Sequence, residues 1–573
     1  MKITKAHIHN FRSIIDSEIF LHPYAVFVGA NNAGKSTVFN AIRAVYDDYK
    51  WTKDDFPKVG ATDEEAWVEL TFDLTQEEWD GLADKYKEGK TERSLSIRRY
   101  FKSSEKERVK ANQSNIFGYV NNELDPELFY GAKNIGSAKI GSVIYIPALT
   151  TASEQTKMSG PSPLRNILSF LLKKVVSSSA AYQEVTTAFE KFNNEAREKS
   201  GFLNAISEPL NQAIAAWSIQ IDLSINSISP EDVTKSLVKF AFVDAALGDG
   251  GMELEKYGHG FQRSVIYELI RLAPTFREEK TVAKKEFAPD YTLILFEEPE
   301  AFLHPSQQES MAFHLRKLGA QEGQQVFVTS HSPTFAGKAA GELKQLVRMR
   351  RADGTSKAYQ VAGEAENQML IKGGSLLDAL VRFVEDVNVP DDEKANARRI
   401  IAAPPEEEIA LQEEKYRFHT WLDGERSSMF FADRVLLVEG ATERALFNYL
   451  LADKWHDLSS HRIFIVDVLG KYNFHRYMAL LEAYGIHHGI MLDDDNNKNE
   501  HQAINELVRN SSNAFTLSVP IEFQGCLETF LGVPIPGRDD KKPIEIMKCV
   551  DRNSFPAGRL DLLRAEFIRA LAL

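Results

Sequence analysis

The chain has 573 residues, of which 43% are hydrophobic and 26% charged, and its formal net charge is −14. This length predicts two to four domains at roughly 100–200 residues each, and the acidic balance argues against a protein whose whole surface coats nucleic acid. The two cysteines, Cys526 and Cys549, fit neither a disulfide framework nor a zinc pattern. Because we find no signal peptide and no run of about 18 apolar residues, we expect a cytoplasmic protein without a membrane partner.

The first 45 residues predict two strands, a phosphate-binding loop and a helix. Alternation over residues 3–8 predicts one strand, and the apolar run at 24–28 predicts a second, buried one. The text GANNAGKST at 29–37 then fits G-x-x-x-x-G-K-[ST] between a strand and a helix. In such a loop backbone N–H groups surround the phosphates, the lysine reaches the β- and γ-phosphates, and the hydroxyl binds Mg²⁺. The predicted nucleotide-binding residues are Asn31, Gly34, Lys35, Ser36 and Thr37, and Ser36 is also a predicted Mg²⁺ ligand.

Further strands and a helical insertion follow. Residues 64–75, 94–101 and 142–147 predict sheet strands, whereas 163–217 has the spacing of amphipathic helices. We interpret 163–217 as an insertion, a lid or dimerisation element, that divides an ATPase domain into residues 1–162 and 218–380. The text YGHGFQRS at 257–264 opens a helix with glycines, which makes an anion site. Its predicted nucleotide-binding residues are Gly258, Gly260, Gln262 and Arg263.

An acidic strand end and a histidine complete the predicted nucleotide site. In LILFEEPEAFLHP, Glu297 ends an apolar strand and is predicted to hold Mg²⁺, while Glu298 is predicted to orient the attacking water. A second apolar strand, 325–329, precedes His331, which we expect to contact the γ-phosphate. An ordinary acidic strand end and a structural histidine are the alternatives, and the preceding phosphate loop favours the catalytic interpretation.

A second α/β domain is predicted at 431–573, after a linker and helix at 381–430. The linker prediction rests on the polar text VPDDE and AAPPEEE. One strand ends in Glu439, four residues before Glu443, and another ends in Asp493-Asp494-Asp495. In a parallel sheet the carboxyl ends of strands share one edge, so these groups should converge, with Asp494 pointing away. The predicted metal ligands are Glu439, Glu443, Asp493, Asp495 and Glu528.

Carboxylate ligands suit Mg²⁺, Mn²⁺ or Ca²⁺ and not zinc. There are enough of them for two ions roughly 4 Å apart, the arrangement for in-line phosphodiester displacement. A solvated DDDNNKNE loop is the alternative for that stretch taken alone. The carboxylate pair on the preceding strand and helix favours the metal site.

The combined motifs resemble known families. The phosphate loop, the EEPE form, the glycine-rich helix start and the text NFRS resemble ATP-binding-cassette ATPases of the SMC and RecF type. The C-terminal unit resembles a Toprim domain, the metal fold of topoisomerases, primases and some nucleases. A RecF-like ATPase followed by Toprim is similar to the overcoming-lysogenization-defect (OLD) family of nucleases over almost the whole chain. The resemblance implies an α/β fold: an ABC-type P-loop ATPase with a helical insertion, followed by a C-terminal Toprim domain.

The resemblance also implies an activity and partners. It implies an ATP-binding endonuclease that cuts DNA by two-metal hydrolysis under control of the ATPase domain, working as a homodimer or homotetramer. Family members occur alone or in phage-defence systems with a helicase (Gabija) or with a retron reverse transcriptase and its DNA. Lys541-Lys542-Pro543 resembles the family's late basic motif, with Lys542 favoured as the catalytic lysine, and Gly470 matches a turn glycine. We further expect DNA contacts from Arg98, Arg99, Lys541 and Lys542.

Other functions remain as alternatives. The main one is a non-catalytic SMC- or RecF-like DNA-binding ATPase in DNA repair, although SMC proteins need long coiled-coil arms and the insertion at 163–217 is short. A topoisomerase would need a separate strand-cleaving tyrosine domain, and a primase a zinc module. A transporter ATPase would leave the C-terminal carboxylates unexplained.

Overall fold

The computed structural model describes residues 1–133, 139–148, 179–198, 201–214, 289–301, 303–337, 343–402, 407–421, 425–538 and 541–573, with a few positions between 223 and 287. It divides into two compact units. The first unit contains residues 1–143, 287–300 and 308–573. The second contains residues 144–286 and 301–307.

The strands are numbered in chain order. They are β1 (Lys2–Phe11), β2 (Ile14–Phe20), β3 (Tyr24–Val28), β4 (Ala66–Asp73), β5 (Ser94–Lys102), β6 (Ile116–Val120), β7 (Glu123–Leu128), β8 (Ser142–Ile146), β9 (Phe242–Val243), β10 (Gly251–Met252), β11 (Thr292–Glu297), β12 (Gln324–Thr329), β13 (Leu346–Ala352), β14 (Thr355–Gln360), β15 (Arg434–Val438), β16 (Ile463–Asp467), β17 (His487–Asp493) and β18 (Ile521–Phe523).

The α-helices are numbered in the same way. They are α1 (Lys35–Val45), α2 (Gln76–Gly81), α3 (Ala180–Arg197), α4 (Phe202–Ile214), α5 (Pro305–Ala320), α6 (Pro333–Ala336), α7 (Glu364–Glu385), α8 (Ala395–Ile401), α9 (Glu407–Trp421), α10 (Ala441–Asp453), α11 (Phe474–Ala483), α12 (His501–Asn510), α13 (Leu527–Leu531), α14 (Lys542–Asp551) and α15 (Arg559–Leu571).

An antiparallel sheet of order β2-β1-β4-β5-β6-β7 occupies the N-terminal part of the first unit. Its strands β4 and β5 confirm the strands predicted at 64–75 and 94–101. Strand β2 was not predicted, although β1 pairs with it from Lys5 opposite Phe20 to Phe11 opposite Ile14. Alternating burial along β1 fits a sheet with one covered face.

The second sheet carries the phosphate-binding loop. Its order is β14-β13-β3-β12-β11-β8, and β3 lies parallel to both β12 and β13. Strands β3, β11 and β12 are buried at every position, as expected for central strands of a parallel sheet covered on both faces. These strands confirm the three apolar runs predicted from sequence.

The C-terminal sheet has the order β16-β15-β17-β18, and all three neighbouring pairs are parallel. Strands β15 and β17 were predicted, whereas β16 and β18 were not. Helices α10, α14 and α15 cover this sheet through buried side chains such as Phe447, Ile546 and Phe567. Parallel order places the carboxyl ends of all four strands at one edge.

The segment predicted as a linker and helix contains the end of α7 and all of α8 and α9. Leu380 and Ala397 are buried in one cluster with Ile504 and Leu507 of α12. Of the polar text, VPDDE lies between α7 and α8, and most of AAPPEEE lies outside the described residues. In the second unit, α3 and α4 are helices within the predicted insertion, while residues 163–178 lie outside the described part. None of the described helices has both the length and the apolar character to cross a bilayer.

Candidate nucleotide and metal sites

The phosphate-binding loop connects β3 to α1 through two glycines with positive φ. Gly34 has a φ of 105° and leads directly into α1 at Lys35. A side chain at Gly29, whose φ is 139°, would lie 2.3 Å from the main-chain oxygen of Met349 on β13. The loop therefore requires glycine for its own conformation and for its close contact with the neighbouring strand.

The Lys35 side chain is buried within this loop. Its Nζ donates hydrogen bonds to the carbonyl oxygens of Gly29, at 2.9 Å, and Ala30, at 3.1 Å. Burial lowers the pKa of Lys35 to about 8, against the opposing charges of Glu298, Glu297 and Glu300. Burial thus destabilises the charged ammonium group more than the three glutamates stabilise it, which suits the group to bind a phosphate. Around it, Asn31 and Ser36 are exposed and Thr37 is buried.

The acidic motif lies where β11 ends. Glu297 is its last residue and is buried. Glu298 follows with a φ of 45°, an uncommon conformation for a residue other than glycine, and its N–H donates to the Thr329 oxygen at 2.8 Å. Such backbone strain clusters at functional sites.

His331 lies beside this motif, as predicted. Its Nε2 is 3.6 Å from Glu298 Oε1, and burial together with the charge of Lys35 lowers its pKa, while the charge of Glu298 opposes this. Its backbone N–H donates to Glu300 Oε1 at 2.6 Å. Sequence reasoning missed Glu300, and the available signal was the third carboxylate of FEEPE. Lys35, Glu297, Glu298 and His331 thus come together at one end of the parallel sheet.

The glycine-rich helix start is only partly described. Gly258 belongs to the second unit. Gly260, Gln262 and Arg263 lie outside the described residues. Their predicted roles in nucleotide binding stay predictions.

The edge of the C-terminal sheet gathers the predicted metal ligands. Glu439 follows β15, Asp493 ends β17, and Asp495 opens the turn after it. Glu443 lies in the first turn of α10, and Glu528 lies on α13, just beyond β18. The neighbouring carboxyl ends of these strands bring all five carboxylates to one place.

Asp493 lies near the middle of this group. Its Oδ1 accepts a hydrogen bond from the Leu527 N–H at 2.9 Å. Its pKa is raised to about 8 by burial and by the charges of, in decreasing order, Glu443, Glu439, Asp495 and Glu528. All four other predicted ligands are therefore close enough to repel its charge.

The pKa values of Glu439 and Glu443 are raised as well. The pKa of Glu439 is raised to about 7, chiefly by burial, with Lys471 lowering it and Asp495 and Glu443 raising it further. Among the described residues, Glu439 Oε2 is buried without a hydrogen-bond partner. Burial also raises the pKa of Glu443, whose Oε2 accepts from the Gly440 N–H at 3.0 Å.

The three consecutive aspartates have different surroundings. Asp494 Oδ1 accepts from the N–H groups of Asn496, at 2.7 Å, and Gly525, at 2.6 Å, and so holds the loop together. Asp495 instead receives the ammonium of Lys471 at 2.6 Å, and His501 Nδ1 lies 3.1 Å from the same oxygen. Asp494 thus points away from the carboxylate group, as the alternation along the strand predicts.

Lys471 was not predicted as a site residue. It is buried, and it follows Gly470, whose φ of 99° and N–H bond to the Glu439 oxygen at 3.0 Å turn the chain back to the sheet edge. The signal was the run IFIVD before VLGK, which is strand β16. Recognising that strand would have placed Lys471 at the same edge as Glu439.

The two lysines of the late basic motif, Lys541 and Lys542, differ in position. Lys542 begins α14, and its charge lowers the pKa of both Glu439 and Glu443, against the larger effect of burial. Lys541 is exposed, and its charge acts on Glu545. The geometry therefore favours Lys542 as the residue that faces the carboxylates.

Arg98 and Arg99, from which DNA contacts are expected, make contacts within the protein. Arg98 pairs with Glu69 at 2.8 Å and lies over the ring of Trp67 at 3.7 Å. Arg99 donates to the main-chain oxygens of Ala44 and Val45 at the end of α1. Both guanidinium groups have partners within the protein, and their expected DNA contacts stay predictions.

The carboxylate edge fits divalent cations by its chemistry. Its donors are oxygens, one of them buried without a hydrogen-bond partner among the described residues, and the carboxylates repel one another. Within the described part of the chain, no three His, Cys, Asp or Glu side chains are already arranged as a finished metal site. Lys471 contacts Oδ2 of Asp495, one of the oxygens that the edge offers to a cation.

Comparison with known proteins identifies both regions. A profile described as an AAA ATPase domain matches residues 1–129 and 105–336. A second, described as the TOPRIM domain of overcoming lysogenization defect protein-like proteins, matches residues 430–495.

Curated relatives cover most of the chain. The Old nuclease of Escherichia phage P2 is 26% identical over 513 residues, covering 86% of this chain and 77% of the relative. The endonuclease GajA of Bacillus cereus (strain VD045) is 23% identical over 556 residues, covering 92% and 82%. An SMC head domain from Thermotoga maritima has a TM-score of 0.30 at 15% identity, covering 63% of this chain and 100% of its own. The chain therefore belongs to the AAA ATPase domain family and, with its overcoming-lysogenization-defect-like TOPRIM domain, has the organisation of an ATPase-linked endonuclease.

Proposed function

We propose that this protein is a metal-dependent DNA endonuclease whose cleavage centre is the carboxylate edge of the C-terminal sheet. ATP bound at the Lys35 loop regulates cleavage. The observation that carries this proposal is the convergence of five carboxylates, four of which raise the pKa of Asp493. Such an arrangement is unfavourable without a cation and typical of a site that binds one.

In the proposed centre, the carboxylates bind the metal ions and Lys542 stabilises charge on the phosphate. Glu439, Asp493 and Asp495 offer oxygens on the sheet edge itself, and Glu443 and Glu528 complete the set from two helices. When bound, Mg²⁺, Mn²⁺ or Ca²⁺ supplies positive charge at the phosphodiester, and two such ions fit the number of ligands. Lys542 adds an ammonium group beside Glu439 and Glu443, where it can stabilise negative charge that develops on the phosphate.

Regulation by ATP is supported by a clasp between the sheet that carries the phosphate-binding loop and the C-terminal sheet. Arg348 of β13 is 6% exposed, and its guanidinium donates to four main-chain oxygens of the C-terminal region. The acceptors are Phe430 at 3.0 Å and Ala432, Tyr484 and Gly485 at 3.1 Å each. A buried guanidinium with all these partners fixes β13 firmly to the start of the nuclease fold.

The same β13–β14 hairpin also contacts the phosphate loop. The Met349 oxygen packs on Gly29, and the Ser356 hydroxyl would lie 2.8 Å from a side chain at Gly34. On the far side, the ring of Tyr359 packs on Gly485, just before β17 begins. Because β17 ends in Asp493, one strand connects the hairpin contact to the cleavage centre. A shift of the phosphate loop on ATP binding can therefore reach the carboxylates through two packed elements.

The biological setting follows from the resemblance and the relatives. We propose that the protein is a homodimer or homotetramer that acts in defence against phage. A helicase, or a reverse transcriptase with its DNA, would be the partner if one is needed. Plating efficiency of phage on cells with and without the gene tests the defence role.

The decisive experiment is cleavage of supercoiled and linear DNA with and without Mg²⁺, comparing wild type with Glu439→Gln. Glu545→Gln is the matched control, because Glu545 is partly exposed on α14 and pairs with Lys548. We expect Mg²⁺-dependent cutting by wild type and control, and at least about a hundredfold loss in Glu439→Gln. Cutting by Glu439→Gln at the wild-type rate would place the activity elsewhere.

A further inference from the structure

Lys471 places a positive charge inside a group of carboxylates that is otherwise built for metal. Its side chain is 2% exposed, and its ammonium donates to the Asp495 carboxylate at 2.6 Å and to the main-chain oxygen of Asp493. A buried ammonium group is costly unless it is paired and hydrogen-bonded. The two hydrogen bonds therefore stabilise the buried ammonium group of Lys471. They also occupy an oxygen of Asp495, a predicted metal ligand.

The position of Lys471 is set by the fold. Strand β16 ends at Asp467, and the turn at Gly470 returns the chain toward β15 through the N–H bond to the Glu439 oxygen. The main chain next to Lys471 is thus bonded to the first ligand strand, while the Lys471 side chain bonds to Asp493 at the end of β17 and to Asp495 after it. One residue connects the two strands that carry the ligands.

We propose that Lys471 is a positioning residue of the cleavage centre, whose ammonium group orients Asp495 and the end of β17 while it weakens the binding of divalent ions. This inference rests on the proposed function. Since Lys471 offsets carboxylate charge, its removal leaves a more negative site that attracts cations more strongly. Since Lys471 also orients the ligands, its removal leaves them in geometry that is poor for cleavage. If Lys471 only stabilised the fold, its replacement would weaken Ca²⁺ binding and DNA cleavage together.

The test is a calorimetric titration of metal-free protein with Ca²⁺, set beside cleavage of supercoiled DNA at saturating Mg²⁺. For Lys471→Met we expect Ca²⁺ to bind at least about tenfold more tightly than in wild type. We also expect cleavage to be at least about tenfold slower. Lys471→Arg keeps the charge and is expected to gain no Ca²⁺ affinity.

Lys548→Met is the matched control, because Lys548 lies exposed on α14 and pairs with Glu545. It should match wild type in both measurements. Unchanged or weaker Ca²⁺ binding by Lys471→Met, beside a wild type that binds Ca²⁺, overturns this inference alone. A folded wild type that binds no Ca²⁺ overturns the proposed metal site as well. If Lys471→Met does not fold, Lys471→Gln is titrated instead, and the same two results decide.

Discussion

The predicted nucleotide site holds a buried cation, whereas the proposed cleavage centre holds buried carboxylates. In the first, Lys35 is buried among main-chain oxygens, and its pKa falls to about 8 because burial outweighs the nearby glutamates. In the second, Asp493 is buried among carboxylates, and its pKa rises to about 8. Each site therefore holds a charge that its own surroundings do not compensate.

The difference shows how burial prepares each site for its ligand. A cation that burial destabilises favours a phosphate as its partner, and buried anions that repel one another favour a metal ion. The two sites also differ in origin, since one contiguous loop supplies Lys35 and its acceptors, whereas the ends of two strands and two separate helices supply the carboxylates. This contrast leads to four predictions.

Replacing Asp493 with asparagine should separate activity from stability. Asparagine can still accept the Leu527 N–H bond but removes the repelled charge. Because the folded pKa of Asp493 lies far above its unfolded value, its ionisation destabilises the metal-free fold as pH rises toward 8. We expect cleavage at least about a hundredfold slower and, at pH 7.5 in chelator, a free energy of unfolding higher by about 1 kcal/mol or more.

Cleavage assays and denaturant unfolding check this pair of effects. Asp453→Asn at the surface end of α10, where Asp453 pairs with Lys454, should change neither quantity. An Asp493→Asn protein that cuts DNA at the wild-type rate would show that Asp493 is not part of the cleavage centre. An Asp493→Asn protein that is less stable than wild type without metal would show that the charge of Asp493 is not repelled.

Lys35→Ala should affect only the nucleotide site. Loss of the buried ammonium should weaken ATP binding by at least about thirtyfold, because a charge-assisted contact to phosphate is lost. Ca²⁺ affinity should stay within about twofold of wild type, since Lys35 is not among the charges that act on Asp493 or Glu439. Lys58→Ala, at an exposed lysine that pairs with Asp54, is the control. Equal losses in ATP and Ca²⁺ binding would show that the sites are not separate.

The affinities for the two ligands should respond to pH in opposite directions. Above pH 8 Lys35 loses its proton, so ATP binding requires proton uptake and should weaken by up to about tenfold per pH unit. Between pH 6 and 8 Asp493 and Glu439 give up protons when a cation binds, so Ca²⁺ affinity should rise with pH. Calorimetry in buffers of different ionisation enthalpy measures both proton transfers. Parallel pH trends would contradict the account.

Arg348→Lys should weaken communication between the sites. Lysine keeps the charge but offers fewer donors to the four main-chain oxygens, so the clasp loosens. The ratio of cleavage rates with and without ATP should move toward one by about threefold, a coupling effect of ordinary size. Arg351→Lys, at an exposed position of the same strand, should leave the ratio unchanged. An unchanged ratio in Arg348→Lys would exclude this route.

The sequence predicts the nucleotide site better than the cleavage centre, for a physical reason. Lys35, Glu297, Glu298 and His331 follow strands whose apolar runs are unmistakable, and the phosphate loop is one continuous motif. The carboxylates were also predicted, because strand ends of a parallel sheet must meet. Lys471 was missed because its strand, β16, was not recognised. The partners of Arg98 and Arg99 within the protein were not predicted, because no sequence pattern shows that Glu69 and the end of α1 lie opposite them.

The most direct test of the central claim is iron-directed cleavage of the nucleotide-free protein itself. Fe²⁺ bound in place of Mg²⁺, with ascorbate and peroxide, cuts the polypeptide next to the ion, and the fragments locate it. We predict cuts after β15, after β17 and near α13, close to Glu439, Asp493 and Glu528, all suppressed by excess Mg²⁺. Cuts confined to the phosphate loop and the end of β11, or cuts that Mg²⁺ does not suppress, would contradict a metal-binding cleavage centre at the edge of the C-terminal sheet.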